Sequence, residues 1–210
     1  MKKYIAEWLW VLFFVLIIGL SGDPLAIGVA LAILVYATGP ISGGHLNPAV
    51  TLSLLVGKKI KVWEAVNYRV AQLVWAILWA VLYRALKGNT IVIMPLDWVS
   101  MWKAWLWEFI FTFLLAMVVY LTAVYKKAEG NQYRGAAIWL TVFVAAVSIG
   151  RMTGGAFNTA VATGPILVDR IHGGESGMYL WMYIISTLLG WFAAWYLCKV
   201  FKNDHITKSV

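Results

Sequence analysis

Residues 39–50 read GPISGGHLNPAV, and residues 150–161 read GRMTGGAFNTAV. Half of the aligned positions are identical, including Gly43-Gly44 with Gly154-Gly155 and Asn47 with Asn158, and Ser42 is matched by Thr153. A Gly-rich stretch running into an Asn that opens a short helix, present twice, restricts the possible folds more than any other feature of the chain.

The surroundings make that restriction severe. The chain is 62% hydrophobic and 12% charged with mean hydropathy +0.80, outside the composition of soluble domains. Charge-free stretches run 8–22, 24–57, 70–83, 109–125, 135–150 and 176–198. A membrane span takes about 20 mostly apolar residues, so six spans are expected, near 4–21, 25–39, 62–85, 101–125, 134–150 and 177–200. Trp98, Trp102, Trp105 and Trp107 cluster where an interfacial aromatic belt would lie. The segments 42–57 and 153–168, broken by Gly and Asn, are too short to cross and are expected to enter and leave on one face. Each half then holds three spans and one re-entrant segment. An odd number of spans turns the second half over, so a direct sequence repeat becomes an inverted structural repeat. The expectation is an all-α integral membrane fold, with six transmembrane helices plus two re-entrant half-helices. It forms a single domain over 1–210, with repeats at about 4–86 and 101–200. Residues 86–100 read as an outer connector, 126–134 as a charged cytoplasmic loop and 203–210 as a disordered tail.

The net charge of +8 follows topology rather than a nucleic-acid partner. Lys2, Lys3, Lys58, Lys59, Lys61, Lys126, Lys127, Arg134, Lys199, Lys202 and Lys208 fall in alternate loops and the termini. That is the positive-inside pattern of a multi-pass protein of a bacterial-type plasma membrane with both termini cytoplasmic. Glu7 and the lack of a small-residue cleavage site make the first apolar run a retained span rather than a leader. The single cysteine, Cys198, gives no internal disulfide. No nucleophile–base pair or metal-ligand spacing occurs, so no enzyme activity, cofactor or metal is expected. A secondary transporter would need coupling-ion ligands near the midplane, and no suitable Asp or Glu lies there.

Non-helical backbone at membrane depth persists only where protein or a water-filled cavity satisfies it. Gly43, Gly44, His45 and Leu46, and Gly154, Gly155, Ala156 and Phe157, are therefore expected to present a ladder of carbonyl oxygens to a polar solute. Asn47 and Asn158 are placed to cap the half-helices and still donate into a lumen. Each half-helix aims about +0.5 elementary charge at the midplane, which opposes cations and protons while neutral solutes pass. His45 is a pore-lining or hydrogen-bonding residue, having no second metal ligand near it in sequence. Glu7 and Glu108 occupy corresponding places in the first and fourth spans, as proton-relay carboxylates or as braces.

SGGHLNPAVTL at 42–52, EFIFTFLL at 108–115, Ala71-Gln72 after Tyr68, TGP at 163–165 and LWMY at 180–183 resemble the major intrinsic protein family, the aquaporins and glycerol facilitators. The resemblance covers essentially the whole chain. It implies one pore per subunit in a homotetramer, the motif residues Asn47, Pro48 and Ala49 with Asn158, Thr159 and Ala160 at the pore centre, and Glu7 and Glu108 bracing the loops. The second motif departs from the family pattern: Thr159 stands for proline, and Val161 for the arginine of the outer constriction. Matched without gaps to bacterial water channels, the filter becomes Ile27, Ala146, Gly155 and Val161, apolar and without side-chain donors. Arg151, near the outer mouth, is either a solvated loop residue or a vestibule charge partly replacing the lost arginine. The resulting expectation is a passive channel for water and small neutral solutes such as glycerol, urea or undissociated metalloid acids. A strict water channel and a non-conducting structural membrane protein are the alternatives.

Overall fold

The computed structural model describes residues 2–125 and 130–204, with side chains described as far as residue 200. The lysines at 126 and 127 and nearly all of the expected tail lie outside the described residues. Among those residues the chain is entirely helical. In order come α1 (Lys2–Ser21), α2 (Pro24–Ser42), the half-helix α3 (Pro48–Val56), α4 (Val62–Lys87), α5 (Met101–Val119), α6 (Arg134–Ala145), the half-helix α7 (Thr159–Ile171) and α8 (Leu180–Asp204). Helix α5 runs on through a π turn, Tyr120–Val124, and α6 through a second, Ala146–Gly150, and a last turn, Arg151–Thr153.

Local chemistry accounts for the boundaries. Asp23 starts α2 by accepting a hydrogen bond from Ala26 N–H at 2.8 Å, with Pro24 in the first turn, where a missing N–H costs nothing. Gly43 ends α2 in the left-handed conformation (φ 86°), donating its N–H to the Gly39 carbonyl. The second half repeats this stop, Gly154 (φ 91°) donating to Gly150. The last helical residues, Ser42 and Thr153, fall three residues beyond the expected ends at 39 and 150. Pro40 sits inside α2 without ending it, and α7 likewise continues through Pro165 to Ile171.

The packing comes in symmetry-related pairs. Helix α1 packs on α2 and α4 as α5 packs on α6 and α8, while α2 and α6 face one another. Each half-helix also crosses to the other repeat, α3 packing on α8 and α7 on α4. That exchange is the inverted repeat. The α4–α7 crossing is close: a Cβ on Gly164 would lie 2.5 Å from the Ala76 backbone, and Ala76, Ala80 and Ala160 are buried beside it. Small residues at such a crossing supply the van der Waals contact that drives helix association where the surroundings are as apolar as the side chains. Large apolar residues such as Ile33, Val62, Leu86 and Val147 remain exposed on the outside of the bundle, as lipid contact requires. Trp98, Trp102 and Trp107 are exposed and Trp105 half-buried.

Gly164→Val is expected to overpack the α4–α7 crossing and destabilise the fold by about 1–3 kcal/mol. Thermal unfolding in detergent measures it, and an unchanged midpoint would contradict the close crossing.

Candidate functional site

The sequence places two irregular loops inside the bundle, and their backbone requires partners. Leu46 (φ 51°) and Phe157 (φ 48°) adopt the left-handed conformation, as do the glycine pairs before them. For residues with a Cβ this is strained and must be held by the surroundings. The buried carboxylates hold it. Glu7 accepts from His45 N–H (2.9 Å), Leu46 N–H (2.8 Å), Ser42 Oγ (2.7 Å) and Gln72 Nε2 (2.8 Å). Glu108 accepts from Ala156 N–H (3.1 Å), Phe157 N–H (3.0 Å) and Thr153 Oγ1 (2.7 Å). Tyr68 and Tyr183 complete each loop from the facing helix by donating to the Ser42 and Thr153 carbonyls. The donors around each carboxylate belong to the loop and its neighbours, which favours bracing over relaying protons.

The half-helices meet N-terminus to N-terminus. Asn47 Oδ1 accepts from Ala49 N–H and Asn158 Oδ1 from Ala160 N–H, each at 2.9 Å, which caps both helices. Asn47 Nδ2 donates to the Phe157 carbonyl at 3.1 Å, and Asn158 Nδ2 to the Leu46 carbonyl at 2.8 Å. An amide has two N–H donors, so each Asn keeps one N–H outside these bonds. The carbonyls of Leu46 and Phe157, expected among the free rungs of the ladder, are thus partly engaged in tying the two loops together. Thr159, in the place of proline, uses the N–H a proline would lack: it makes a long contact of 3.4 Å to Asn47 Oδ1. Its hydroxyl lies 3.1 Å from that of Thr187. Pro48, Ala49 and Ala160 are buried in the packing around this junction.

A cavity of about 860 Å3 runs past the junction. Its wall includes Gly43, Gly44, His45, Leu46 and Asn47 from the first loop and Gly154, Gly155, Ala156, Phe157 and Asn158 from the second. Ile27, Ala146 and Val161 also line it, as does the exposed Arg151. Apolar residues of α1, α2, α5 and α6, among them Phe14, Leu31, Leu115 and Val142, form the rest of the wall. At the face bearing the chain termini the wall includes Lys59, Ile60, Val124 and Arg134; at the opposite face it includes Ser21, Asp23, Ile91 and Ile93. His45 is turned into the protein on one side, with Nδ1 3.2 Å from Thr51 Oγ1 and its ring stacked on Tyr68 at 4.6 Å.

The connector between α4 and α5 was legible only as a loop, yet Ile91, Val92 and Ile93 line the cavity. The signal available was the apolar run IVIMPL between Asn89-Thr90 and Asp97. Leu96 N–H donates to the Met152 carbonyl at 3.0 Å, and Thr90 Oγ1 donates to Asp169 Oδ1 at 2.5 Å. Asp169 also accepts from Ser176 Oγ at 2.6 Å. Burial alone would raise the Asp169 pKa, but the hydrogen bonds from Ser176 and Thr90 outweigh it and hold the carboxyl below its ordinary value of 3.8.

Six spans around a lumen lined from both faces, with two capped half-helices meeting inside it, define a passive transmembrane channel. The chain belongs to the major intrinsic protein family, whose model matches residues 1–198 and whose members are channels for water and small solutes. It is 32% identical over 220 residues to "Glycerol uptake facilitator protein-like 6" of Lactiplantibacillus plantarum, covering 97% of this chain and 100% of that one. It is 35% identical over 198 residues to "Probable aquaporin AqpM" of Archaeoglobus fulgidus, covering 89% and 80% of the two chains. Its fold superposes with a TM-score of 0.81 on the aquaglyceroporin from Plasmodium falciparum, at 21% identity over 92% of this chain and 93% of that one.

Glu108→Gln puts an amide N–H where a loop N–H expects an acceptor. It is expected to cost about 1–3 kcal/mol for each N–H left unpaired and to lower water permeability, read by thermal unfolding and stopped-flow light scattering on the same preparation. For Asp169, a carboxyl held below its unfolded pKa contributes stability that is complete above that value and fades as pH falls through the folded one. Hydrogen exchange at residues 90–96, corrected for intrinsic rates, is therefore expected to quicken below about pH 4 in wild type and to be quick at all pH values in Asp169→Ala.

Proposed function

We propose that the channel passes water together with small uncharged solutes (glycerol, urea and undissociated weak acids such as those of metalloids) through a selectivity filter formed by Ile27, Ala146, Gly155 and Val161. The observation that carries this reading is that all four line the cavity and none bears a side-chain hydrogen-bond donor or a charge. A dry apolar constriction costs a polar solute roughly 2–7 kcal/mol per unpaired group. Small side chains at Ala146, Gly155 and Val161 leave room for water to remain and reduce that cost. Leu31, Leu115 and Val142 in the wall, together with carbonyls of the two loops, suit a solute with carbon on one side and hydroxyls on the other. Cations and protons are opposed by the two half-helix dipoles and by the Asn47 and Asn158 amides.

In this reading Arg151, which lines the same cavity, acts as a vestibule charge. Glu7 and Glu108 are loop braces in this reading. The single domain divides into repeats at about 4–86 and 101–200, and the subunits form homotetramers with one pore each, by analogy with the family. The excess of Lys and Arg on the termini-bearing face makes that face cytoplasmic in a bacterial-type plasma membrane.

Stopped-flow light scattering of proteoliposomes tests the reading. Fast shrinkage in sucrose followed by fast re-swelling in glycerol or urea is the expected outcome. Val161→Arg restores a donor and bulk at the constriction and is expected to slow glycerol at least roughly tenfold, about 1.4 kcal/mol of barrier, with less effect on water. Water flux without re-swelling would make this a strict water channel, and no flux above empty vesicles would make it a non-conducting structural protein.

A further inference from the structure

The repeat relates Asp23 to Arg134, which are separated by the same interval as Asn47 and Asn158. Both line the lumen, at opposite mouths, with opposite charge. Asp23 shares its mouth with Arg151, so charges there are mixed; Arg134 shares its mouth with Lys59, and among the described lining residues of that end no carboxylate occurs.

Arg134 is held in place by contacts from two directions. Tyr36 Oη donates to the Gln132 carbonyl at 2.9 Å and accepts from Ala136 N–H at 3.1 Å, bracketing Arg134 in the chain. A Cβ on Gly135 would lie 2.6 Å from the Tyr36 ring, so only glycine admits this approach. On the other side Asn131 Nδ2 donates to the Thr122 carbonyl at 3.3 Å, and its Oδ1 accepts from Tyr133 N–H at 2.7 Å. The half-buried guanidinium lies over Gly39, where a Cβ would be 2.5 Å from Nη2. At the repeat-related Gly150 a Cβ would meet nothing nearer than Ala146 Cβ at 3.7 Å, so the cation seat is built on one mouth only. The placement also runs against local preference. Arg134 opens α6, whose first turn holds no acidic residue, and a cation at a helix N-terminus faces the positive end of the dipole.

We propose that Arg134 is a specificity-determining residue of the pore, a guanidinium at the cytoplasmic mouth that repels cations and offers N–H donors to solute oxygens. The guanidinium is charged at every physiological pH and carries five donors in a rigid fork. It supplies at this end what the ring of Ile27, Ala146, Gly155 and Val161 lacks at the other. The proposal rests on the neutral-solute reading above and deepens it.

Urea and the guanidinium ion share size and shape and differ in charge, so their permeabilities in proteoliposomes separate the charge barrier from pore width. Wild type is expected to pass urea and exclude guanidinium. Arg134→Gln is expected to raise guanidinium permeability roughly tenfold, the effect of removing one close, partly screened charge, with urea within about twofold. Arg134→Lys keeps the charge and is expected to stay near wild type. Gly39→Ala retains the charge but displaces the guanidinium and is expected to raise the leak by a smaller factor. Unchanged guanidinium exclusion in Arg134→Gln with urea flux intact overturns the proposal, as does a guanidinium leak already present in wild type. Loss of water and urea flux in the variant gives Arg134 a structural part and overturns it too. Wild type that passes water but not urea defeats the neutral-solute reading itself. The proposal, which needs a pore wide enough for urea, then falls with that reading.

Discussion

Backbone that leaves the helix inside a bilayer has to find its hydrogen bonds in the protein, and the architecture of this channel depends on how two loops do so. Each loop gives two consecutive N–H groups to a buried carboxylate, Glu7 or Glu108. Each also gives a carbonyl to the asparagine that caps the opposite half-helix. The first set holds each loop in the wall of the lumen; the second ties the two halves together where the half-helices meet. A buried carboxylate without such donors would be costly. The loops without the carboxylates would leave strained, unpaired backbone at Leu46 and Phe157. The two features therefore exist only together, and the six spans serve as the frame that brings them into register.

The frame is symmetric, but its chemistry is not. Glu7 has a fourth donor in Gln72; at the equivalent place in α8, Thr187 turns instead to Thr159. Thr159 contributes an N–H and a hydroxyl where proline would contribute neither, adding polar contacts at the junction to replace a conformational restraint. Val161 follows its repeat partner Val50 in being apolar, so that position brings no cation to the lumen wall. The opposite mouth carries one at Arg134, where the repeat partner is Asp23. Symmetry of packing with asymmetry of charge is a physical means of giving two ends of one lumen different tasks.

The mouths are shaped by contacts that the repeat does not duplicate. Thr90 and Leu96 fasten the α4–α5 connector to Asp169 and Met152, so that Ile91 and Ile93 become part of the wall. Tyr36 and Asn131 fasten the start of α6 at the other end. Except for Asn131, nine residues from Thr122, these hydrogen bonds join residues far apart in sequence, and they hold a position without adding bulk to the lumen.

The sequence by itself determined the spans, the inversion and the identity of the central residues. These follow from hydropathy, from the parity of the span count and from two Asn-led motifs, all of them local or periodic signals. It also marked Glu7 and Glu108 as a corresponding pair, without showing which N–H groups they hold. The helix ends were misjudged by three residues at Gly39 and Gly150 because those glycines resemble stops. The actual stop is the positive φ of Gly43 and Gly154, supported by loop contacts. Only the tertiary structure decided that the Leu46 and Phe157 carbonyls join the loops, that the connector at 91–93 enters the wall and that Arg134 faces the lumen over Gly39. Each of these depends on residues from different helices converging at a few ångströms. No periodicity in a single chain encodes such a convergence, because it is fixed by how the helices pack and not by what any one of them contains.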